Sequence, residues 1–573
     1  MSAPDWPHCA HGADPTSDPV GCPGRQVEPY VACLAHLADT DRHTYLSTLT
    51  PGSDIDHRGT TISPTLLGQL LNSLRDPATG QLGFGDARFD AATFSGDARF
   101  DAATFSGDAS FFGVTFSGAA GFIGVTFSDN ANFDQATFSG DACFSEATFS
   151  GDVGFAGATF SDLAWFVKTR FCDSARFVRA RFSAGATFGW ATFSGDTAFD
   201  SATFSDHVGF VQATFERASQ LGPMTCERLL SLSGARFCGP VTIEAVATRI
   251  ECRRTQWVST AVVRLRYATV DLSDAVLEHP LSITARTAPF IDWRGVAVTE
   301  QLLVGTDPRV RIESLRGVDA AHLVLHKVDL SACLLSGTVH LDQLRLEGEC
   351  HLAPAPSGLR WTARRTLAEE QHWRAAQGQS GWTAAPSGVE LVGPAGLAPV
   401  YRQMRKSFED GKNEPDAADF YYGEMEMRRH DRTQPRAERA LLGVYWAVSG
   451  YGLRASRALG WLLGAMAATV LAMMLWGLPV DDPKPATTGL LTGQNISLTT
   501  DRPDPVNPTG PLRSRLTCER WEKSFRIVVN SVIFRSSGQD LTTAGTYTEM
   551  ASRLAEPVLL GLAALAIRGR VKR

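Results

Sequence analysis

Four residues near the start of the chain have the chemistry of metal ligands. Cys9, Cys22, Cys33 and His36 fall within 28 residues, in the string CAHGADPTSDPVGCPGRQVEPYVACLAHL. Cys33 and His36 form a C-x2-H knuckle, in which two ligands share one turn. Cys9 and Cys22 come from Gly/Pro-rich loops. Thiolate and imidazole donors arranged in a tetrahedron suit structural zinc. A leader this poor in apolar residues needs some such staple. The spacings match no standard finger, and His8 and His11 are substitute ligands. The plainer alternative is a set of unliganded groups in a loose leader. Zinc is the one cofactor expected.

Other constellations carry less chemistry. Glu369 and His372 stand at i, i+3, which reads as a solvated helix face rather than a metal pair. There is no P-loop, no dinucleotide GxGxxG after a strand, no GxSxG and no HExxH, so no enzymatic activity is expected. The composition is globular, with 44% apolar residues, 20% charged residues and a net charge of −7. That excludes collagen, coiled coil and full disorder. Eleven cysteines in 573 residues are too sparse for a disulfide scaffold. No basic start followed by an apolar run opens the chain. Everything before the first membrane span is therefore expected in the cytoplasm, where thiols stay reduced.

The elements that position these residues are read from periodicity. Ser63-Pro64-Thr65 starts a helix with Leu66, Leu67, Leu70, Leu71 and Leu74 on one face, ended by Asp76-Pro77. It is expected to cap the array that begins just after it. Of 32 phenylalanines, 26 lie between Phe84 and Phe215. Their spacings alternate 5 and 6, giving a true period of 11. One series is Phe89, Phe100, Phe111 up to Phe210; the other is Phe94, Phe105, Phe116 up to Phe215. Neither helix nor simple strand has this period, and a fixed short period means a solenoid. The residue two before each Phe is nearly always small, as at Ala92, Ala98, Ala103, Ala136 and Ala147.

Small at i−2 and bulky at i, in units of about five, resembles the pentapeptide-repeat family. The resemblance implies a right-handed quadrilateral β-helix with the i and i−2 side chains inward. Units such as ATFSG and ARFDA alternate here, with one additional residue after every second unit. A coil of four faces is then longer than four plain units, and the extra residue reads as a bulged corner. The array continues in degraded form to about residue 352, with Leu replacing Phe in VDLSDAVL and VHLDQLRLEG. Trp361 to Ala376 reads as a helix at the far end.

Between Phe84 and Ala164 there are 11 acidic and 2 basic residues. Asp97, Asp108, Asp141 and Asp152 occupy equivalent positions. Such a column is similar to that of the fluoroquinolone-resistance pentapeptide proteins, which mimic DNA toward gyrase. The physical basis is an acidic rod in a basic DNA-binding groove. Lys168, Arg170, Arg176, Arg179 and Arg181 interrupt the column, however, so the DNA mimic ranks behind other readings and nucleic acid is not an expected partner.

The C-terminal part reads as membrane-bound. Ala458 to Val480 is uncharged and long enough to span a bilayer, with Trp461 and Trp476 near its ends. Glu438 to Leu453 before it is amphipathic. A second span covers Tyr547 to Ile567 and includes Glu549, Arg553 and Glu556 on one face, where they pair away from lipid or line a pore. Arg428, Arg429, Arg432, Arg436, Arg439, Arg454 and Arg457 precede span one; Arg568, Arg570, Lys572 and Arg573 follow span two. Both termini are thus expected in the cytoplasm. DFYYGEMEMRR and the terminal IRGRVKR, in this order, resemble a subset of actinobacterial pentapeptide-repeat proteins ending in a two-span, ion-channel-like module. Glu522 to Phe534 reads as a short helix, and Leu541 to Tyr547 as a loop resembling the filter of potassium channels. Only Thr543-Ala544-Gly545 match, so selective K⁺ conduction is not expected.

The expected architecture is mainly β: a quadrilateral β-helix with helical caps plus a C-terminal α-helical membrane module. Its segments are a Cys/His-rich start (1–60), a helical cap (61–83), the Phe-rich β-helix (84–216) and its degenerate continuation (217–360). A cap, linker and cytoplasmic helices (361–437) and the membrane module (438–573, spans about 458–480 and 547–567) complete it. The expected role is a membrane-anchored, non-enzymatic scaffold in the plasma membrane, binding protein partners and pairing with itself through its spans. The alternatives are a degenerate channel regulated by the repeats, and a DNA mimic.

Overall fold

The computed structural model describes residues 4–14, 16–303, 305–356, 364–480, 484–492, 495–501, 503–534 and 540–571. It divides into two compact units, Met1–Val392 and Gly393–Arg573.

The first unit is a parallel β-solenoid of about 12 turns. Phe94 lies opposite Phe116 and Phe127 opposite Phe149, so that pairing skips one repeat and joins each Phe to the next but one. A coil therefore holds two repeats and has four faces. Each repeat Phe of both series is buried with its ring inside the coil. Rings stack in columns: Phe116, Phe138 and Phe160 are 5.0 and 4.7 Å apart and nearly parallel. Neighbouring columns meet edge to face, as at Phe138 and Phe144 (5.9 Å, 81°). This is the offset-plus-perpendicular packing that the ring quadrupole favours.

The corners explain the period. After Phe89 the chain turns through Ala91 in the left-handed region (φ +55°), closed by Ala92 N–H donating to Phe89 O at 2.9 Å. The same backbone recurs at Ala102, Gln135, Glu146 and Lys168. The alternate corner, Ser106-Gly107-Asp108, carries the additional residue. Its amide is satisfied from the preceding coil: Asp108 N–H donates to Asp86 Oδ1 at 3.1 Å. A Cβ on Gly107 would collide with that carboxylate, which is why glycine stands before it. Asp54, Asp97 and Asp152 accept from the amides of Asp86, Ala119 and Ser174 in the same way. The aspartates thus bind coil to coil along two corners of the rod, one column through Asp86 and Asp152 and the other through Asp97.

The array starts before the Phe series. Ile55–Asp56 pairs with Ala87–Arg88, and Thr61–Ile62 with Thr93–Phe94. Leu82–Phe84 completes this first coil. Helix α1 (Asp39–Thr48) precedes it and had no periodic signal. Helix α2 (Pro64–Ser73) is inserted within it, in place of the third face; Ser63 Oγ accepts from Leu66 N–H at 3.2 Å. Beyond residue 236 the coil shortens: Arg236 faces Gln256 and Gln256 faces Val276. The degraded half therefore has the regular coil of four plain five-residue units. Its strands lengthen to Gln220–Ser231 and Val241–Glu251, and two faces merge into one sheet. The ladder runs on from Phe215 through Phe237 to Trp257, at 4.9 and 4.5 Å.

At the far end, helix α3 spans Ala368–Ala376, later than expected. Arg365–Thr366 is instead a strand against Ala353–Pro354, and Trp361 to Ala363 lie outside the described residues. Glu369 and His372 are buried, not solvated. The last coils leave amides without a next coil to bind them, and Glu369 Oε1 accepts from Leu335 and Ser336 N–H at 2.6 and 2.8 Å.

In the second unit, α4 (Pro394–Asp410) and α5 (Glu414–His430) form an antiparallel hairpin, with Asn413 capping α5. Gly423 lets the Tyr401 ring lie on the α5 backbone, where any Cβ would collide. Glu424 pairs with Arg402 (3.0 Å) and Arg405 (3.1 Å). Glu426 pairs with Arg429 (2.7 Å) and accepts from Tyr451 Oη (2.9 Å). DFYYGEMEMRR is therefore a packing motif. Helix α6 (Arg436–Ser449) leads to α7 (Ala455–Ala472), which continues through a π turn at Met473–Gly477. A hairpin of Ala486–Thr492 with Asn495–Asp501 follows, then α8 (Cys518–Phe534) and α9 (Thr543–Val571).

Among the described residues, two helices are long and apolar enough to cross a membrane, Ala455–Gly477 and Thr543–Arg568. Arginines of the intervening segment cap the first: Arg515 donates to Leu475 O (2.7 Å), and Arg520 to Met474, Leu478 and Pro479 O (2.9–3.1 Å). The segment expected as a filter-like loop is helical from Thr543 onward. Thr543, Ala544 and Gly545 are the first turn of α9, started by Thr542, whose Oγ1 accepts from Gly545 N–H at 3.2 Å. Helical carbonyls point along the axis and cannot form a filter ring. Gly545 instead lets α9 touch the backbone at Gly477. On α9, Arg553 pairs with Glu549 (2.7 Å), and Glu556 accepts from Thr469 of α7 (2.9 Å).

Candidate metal centre

The N-terminal segment is folded onto the first coil. Cys9 N–H donates to Gly24 O (2.8 Å), Ala10 N–H to Cys22 O (3.0 Å) and Cys22 N–H to His11 O (3.0 Å). These bonds lay the Cys9 and Cys22 loops side by side. The Cys33 knuckle closes through His36 and Leu37 N–H, both donating to Cys33 O. Arg42 of α1 holds it from behind, donating to Leu37 O (2.8 Å).

These bonds bring Cys9, Cys22, Cys33 and His36 together. Their ligand atoms all lie within 4.8 Å of one another, a grouping that could hold a metal ion. His36 Nδ1 is 3.5 Å from Cys9 Sγ and 3.4 Å from Cys33 Sγ, and the Cys22 and Cys33 sulfurs are 3.8 Å apart. A disulfide needs about 2.05 Å. Gly24 N–H donates to Cys22 Sγ at 3.4 Å, a bond that supports a thiolate. His11 is not among the four; its ring stacks on His36 at 4.2 Å. His8 pairs through its backbone with Arg25.

Electrostatics favour a cation here. Burial raises the Cys33 thiol, and Cys22 and Cys9 add to it; burial also raises Cys22. Three thiols this close cannot ionise together unless a positive charge sits among them. Burial, then His11, lowers His36, leaving the neutral imidazole a ligand requires.

Residues that periodicity did not single out dock this site on the rod. Arg25 N–H donates to Arg58 O (2.8 Å). Its guanidinium pairs with Asp56 (2.8 Å), which also holds Arg58 (2.7 Å). Gly24 is wedged between Cys33 and Thr60 of the coil, and a Cβ on it would lie 2.9 Å from Cys33 Sγ. Arg58 stacks over Trp6, whose Nε1 donates to Pro23 O (2.9 Å).

His57 stands in the Phe place of this coil. It is wholly buried, 3.4 Å from Tyr45 Oη, with Nδ1 unpaired. Burial lowers it from 6.5 to about 4, with Asp56 opposing. The unfolded chain therefore takes up a proton near pH 6.5 that the folded coil refuses. The associated stability is complete above pH 6.5 and is lost as pH falls towards 4, by about 3 kcal/mol. His57→Leu should remove this slope. Thermal or denaturant unfolding of both proteins at pH 7 and pH 4.5 checks it; equal pH dependence would refute the assignment.

Residues 100–148 and 144–189 match the family model described as pentapeptide repeats (9 copies). Together with the four-faced coil, this places the repeat region in the pentapeptide-repeat family. No curated protein and no solved structure gives a match.

Proposed function

We propose that the chain is a membrane-anchored, non-enzymatic scaffold: a zinc-capped repeat rod in the cytoplasm that offers its outer faces to protein partners, fixed to the plasma membrane by α7 and α9. The observation that carries the anchoring is exposure. Only 28% and 22% of the two apolar windows are buried, whereas an apolar helix of a soluble core is mostly buried. Leu463, Leu471, Leu554, Val558 and Leu565 face outward, a cost in water and none in lipid. Arginines before α7 and in the last turn of α9 favour cytoplasmic ends. The rod supports scaffolding because its interior is filled by phenylalanine, which leaves recognition to the surface.

Zinc suits the Cys/His cluster by distance. A tetrahedron with Zn–S of about 2.3 Å and Zn–N of about 2.05 Å has S···S edges of roughly 3.8 Å and S···N edges of roughly 3.5 Å. The observed separations of 3.8, 3.5 and 3.4 Å match. The metal would supply a structural cross-link.

Alkaline carbonate extraction of membranes from cells making the full-length protein tests the anchoring. The chain should stay in the pellet; release into the supernatant would overturn the reading.

A further inference from the structure

Besides the helix α2 inserted in the first coil, the solenoid is interrupted in its degraded half. Leu281 pairs with Leu323, more than twice as far along the chain as the partners in the coils before it. The excess chain leaves the coil after Ala285 and returns at Arg311. It is a folded excursion rather than a slack loop. Arg266 of the coil, itself buried, pairs with Glu300 at 2.7 Å, and Tyr267 Oη donates to the same carboxylate at 3.2 Å. Phe290, Val298 and Leu303 pack with Val246 on the flank of the rod.

Beyond that clamp the chain makes a tight, well-bonded tip. Ile291 and Ala297 pair antiparallel. Asp292 N–H donates to Val296 O (2.8 Å), and Asp292 Oδ1 accepts from Arg294 and Val296 N–H, both at 2.9 Å. This rigid turn points apolar groups into solvent: Ile291 is 63% exposed, Trp293 71% and Val296 59%. Arg294 lies over the Trp293 ring at 4.7 Å. Nothing in the coil requires a tryptophan there.

We infer that this tip dips into the interfacial layer of a lipid bilayer. Size argues for lipid over protein. Three side chains on one turn offer on the order of 400 Å², whereas a stable protein interface needs about 800 Å² from each partner. Lipid needs no such area when the bilayer is held close by the same chain, because tethering raises the effective concentration. The chemistry is also that of an interface: an amphipathic indole, two branched aliphatic groups and an arginine that keeps its charge among headgroups. Arg294 at the tip complements the anionic cytoplasmic leaflet, while the Asp292 carboxylate is turned onto the amides of Arg294 and Val296. The inference rests on α7 and α9 entering a bilayer.

A photo-reactive phenylalanine derivative placed at Trp293 of the full-length protein, reconstituted in vesicles of mixed neutral and anionic phospholipid, reads the contact directly. The same group at Leu463 of α7 reports on the span, and at Trp190, an exposed tryptophan of the repeat array, on chance collisions. Lipid adducts are expected at 293 and 463, with those at 190 at least five-fold fewer. Adducts at 463 without adducts at 293 overturn the tip and leave the span standing. Equal yields at 190 and 293 also overturn it, as does a protein cross-link at 293. No adduct at 463 overturns the span reading and, with it, the tip.

Discussion

Phe138→Ala is expected to cost about 3–5 kcal/mol. The ring is wholly buried, stacked between Phe116 and Phe160 and edge-on to Phe144. Removing it leaves a void that those neighbours cannot close. Each is fixed by its own column, and the backbone is fixed by coil-to-coil bonds such as Ser139 N–H to Phe116 O at 2.9 Å. The loss should be felt locally first, because a solenoid is held by nearest-neighbour contacts. Amide exchange should therefore quicken in the coils around residues 116–160 before those near 241–283. Phe138→Leu, which refills much of the volume, should cost markedly less. An alanine variant as stable as the parent, or exchange quickened uniformly along the rod, would refute this account of the core.

The Phe array was legible because its inward positions repeat in chemistry as well as in spacing. Bulky at i and small at i−2 leaves no other face for the rings. The first coil was not, because His57 and Ile62 take the Phe places and α2 splits it. Only pairing with residues 87–94 reveals it. The corner aspartates were visible as a column, yet their hydrogen-bond partners lie one coil away and leave no local signal. Burial of Glu369 is equally invisible, since its partners are the amides of Leu335 and Ser336. Thr543-Ala544-Gly545 has the composition of a loop, and the packing of Gly545 on Gly477 overrides that propensity. The donor types of the metal cluster could be read directly. Their convergence could not, because it depends on backbone bonds between the Cys9 and Cys22 loops and on a coil that supplies Asp56 and Thr60.

Full-length protein purified under reducing, chelator-free conditions should carry about one zinc per chain, and Cys33→Ser should carry none. The loss should reach beyond the site. Structural zinc contributes about 10–16 kcal/mol of apparent binding energy in small modules, and that binding energy is folding energy. Few apolar groups hold the N-terminal segment otherwise: Val20, Val27, Leu34 and Leu37 are its buried aliphatic side chains besides Leu46 of α1. Without the metal, the raised thiols stay protonated, and the Cys9 and Cys22 loops keep only backbone bonds such as Val27 N–H to Ala32 O (3.0 Å) to hold them against the Cys33 knuckle. Arg25 then loses the rigid turn that presents its N–H to Arg58 O. Hydrogen exchange should quicken over residues 4–48 and the first coil at 55–62, while residues 84–216 keep their protection. Serine at position 33 also buries a hydroxyl, so Cys9→Ser, at a half-exposed position, separates the two causes. Loss of zinc and of protection in both variants assigns the effect to the metal. Parent protein without zinc would refute the metal site itself. Zinc present in the parent, with first-coil exchange unmoved when a chelator strips it, would mean that the rod's first coil closes on its own, through Arg25–Asp56 and the buried His57.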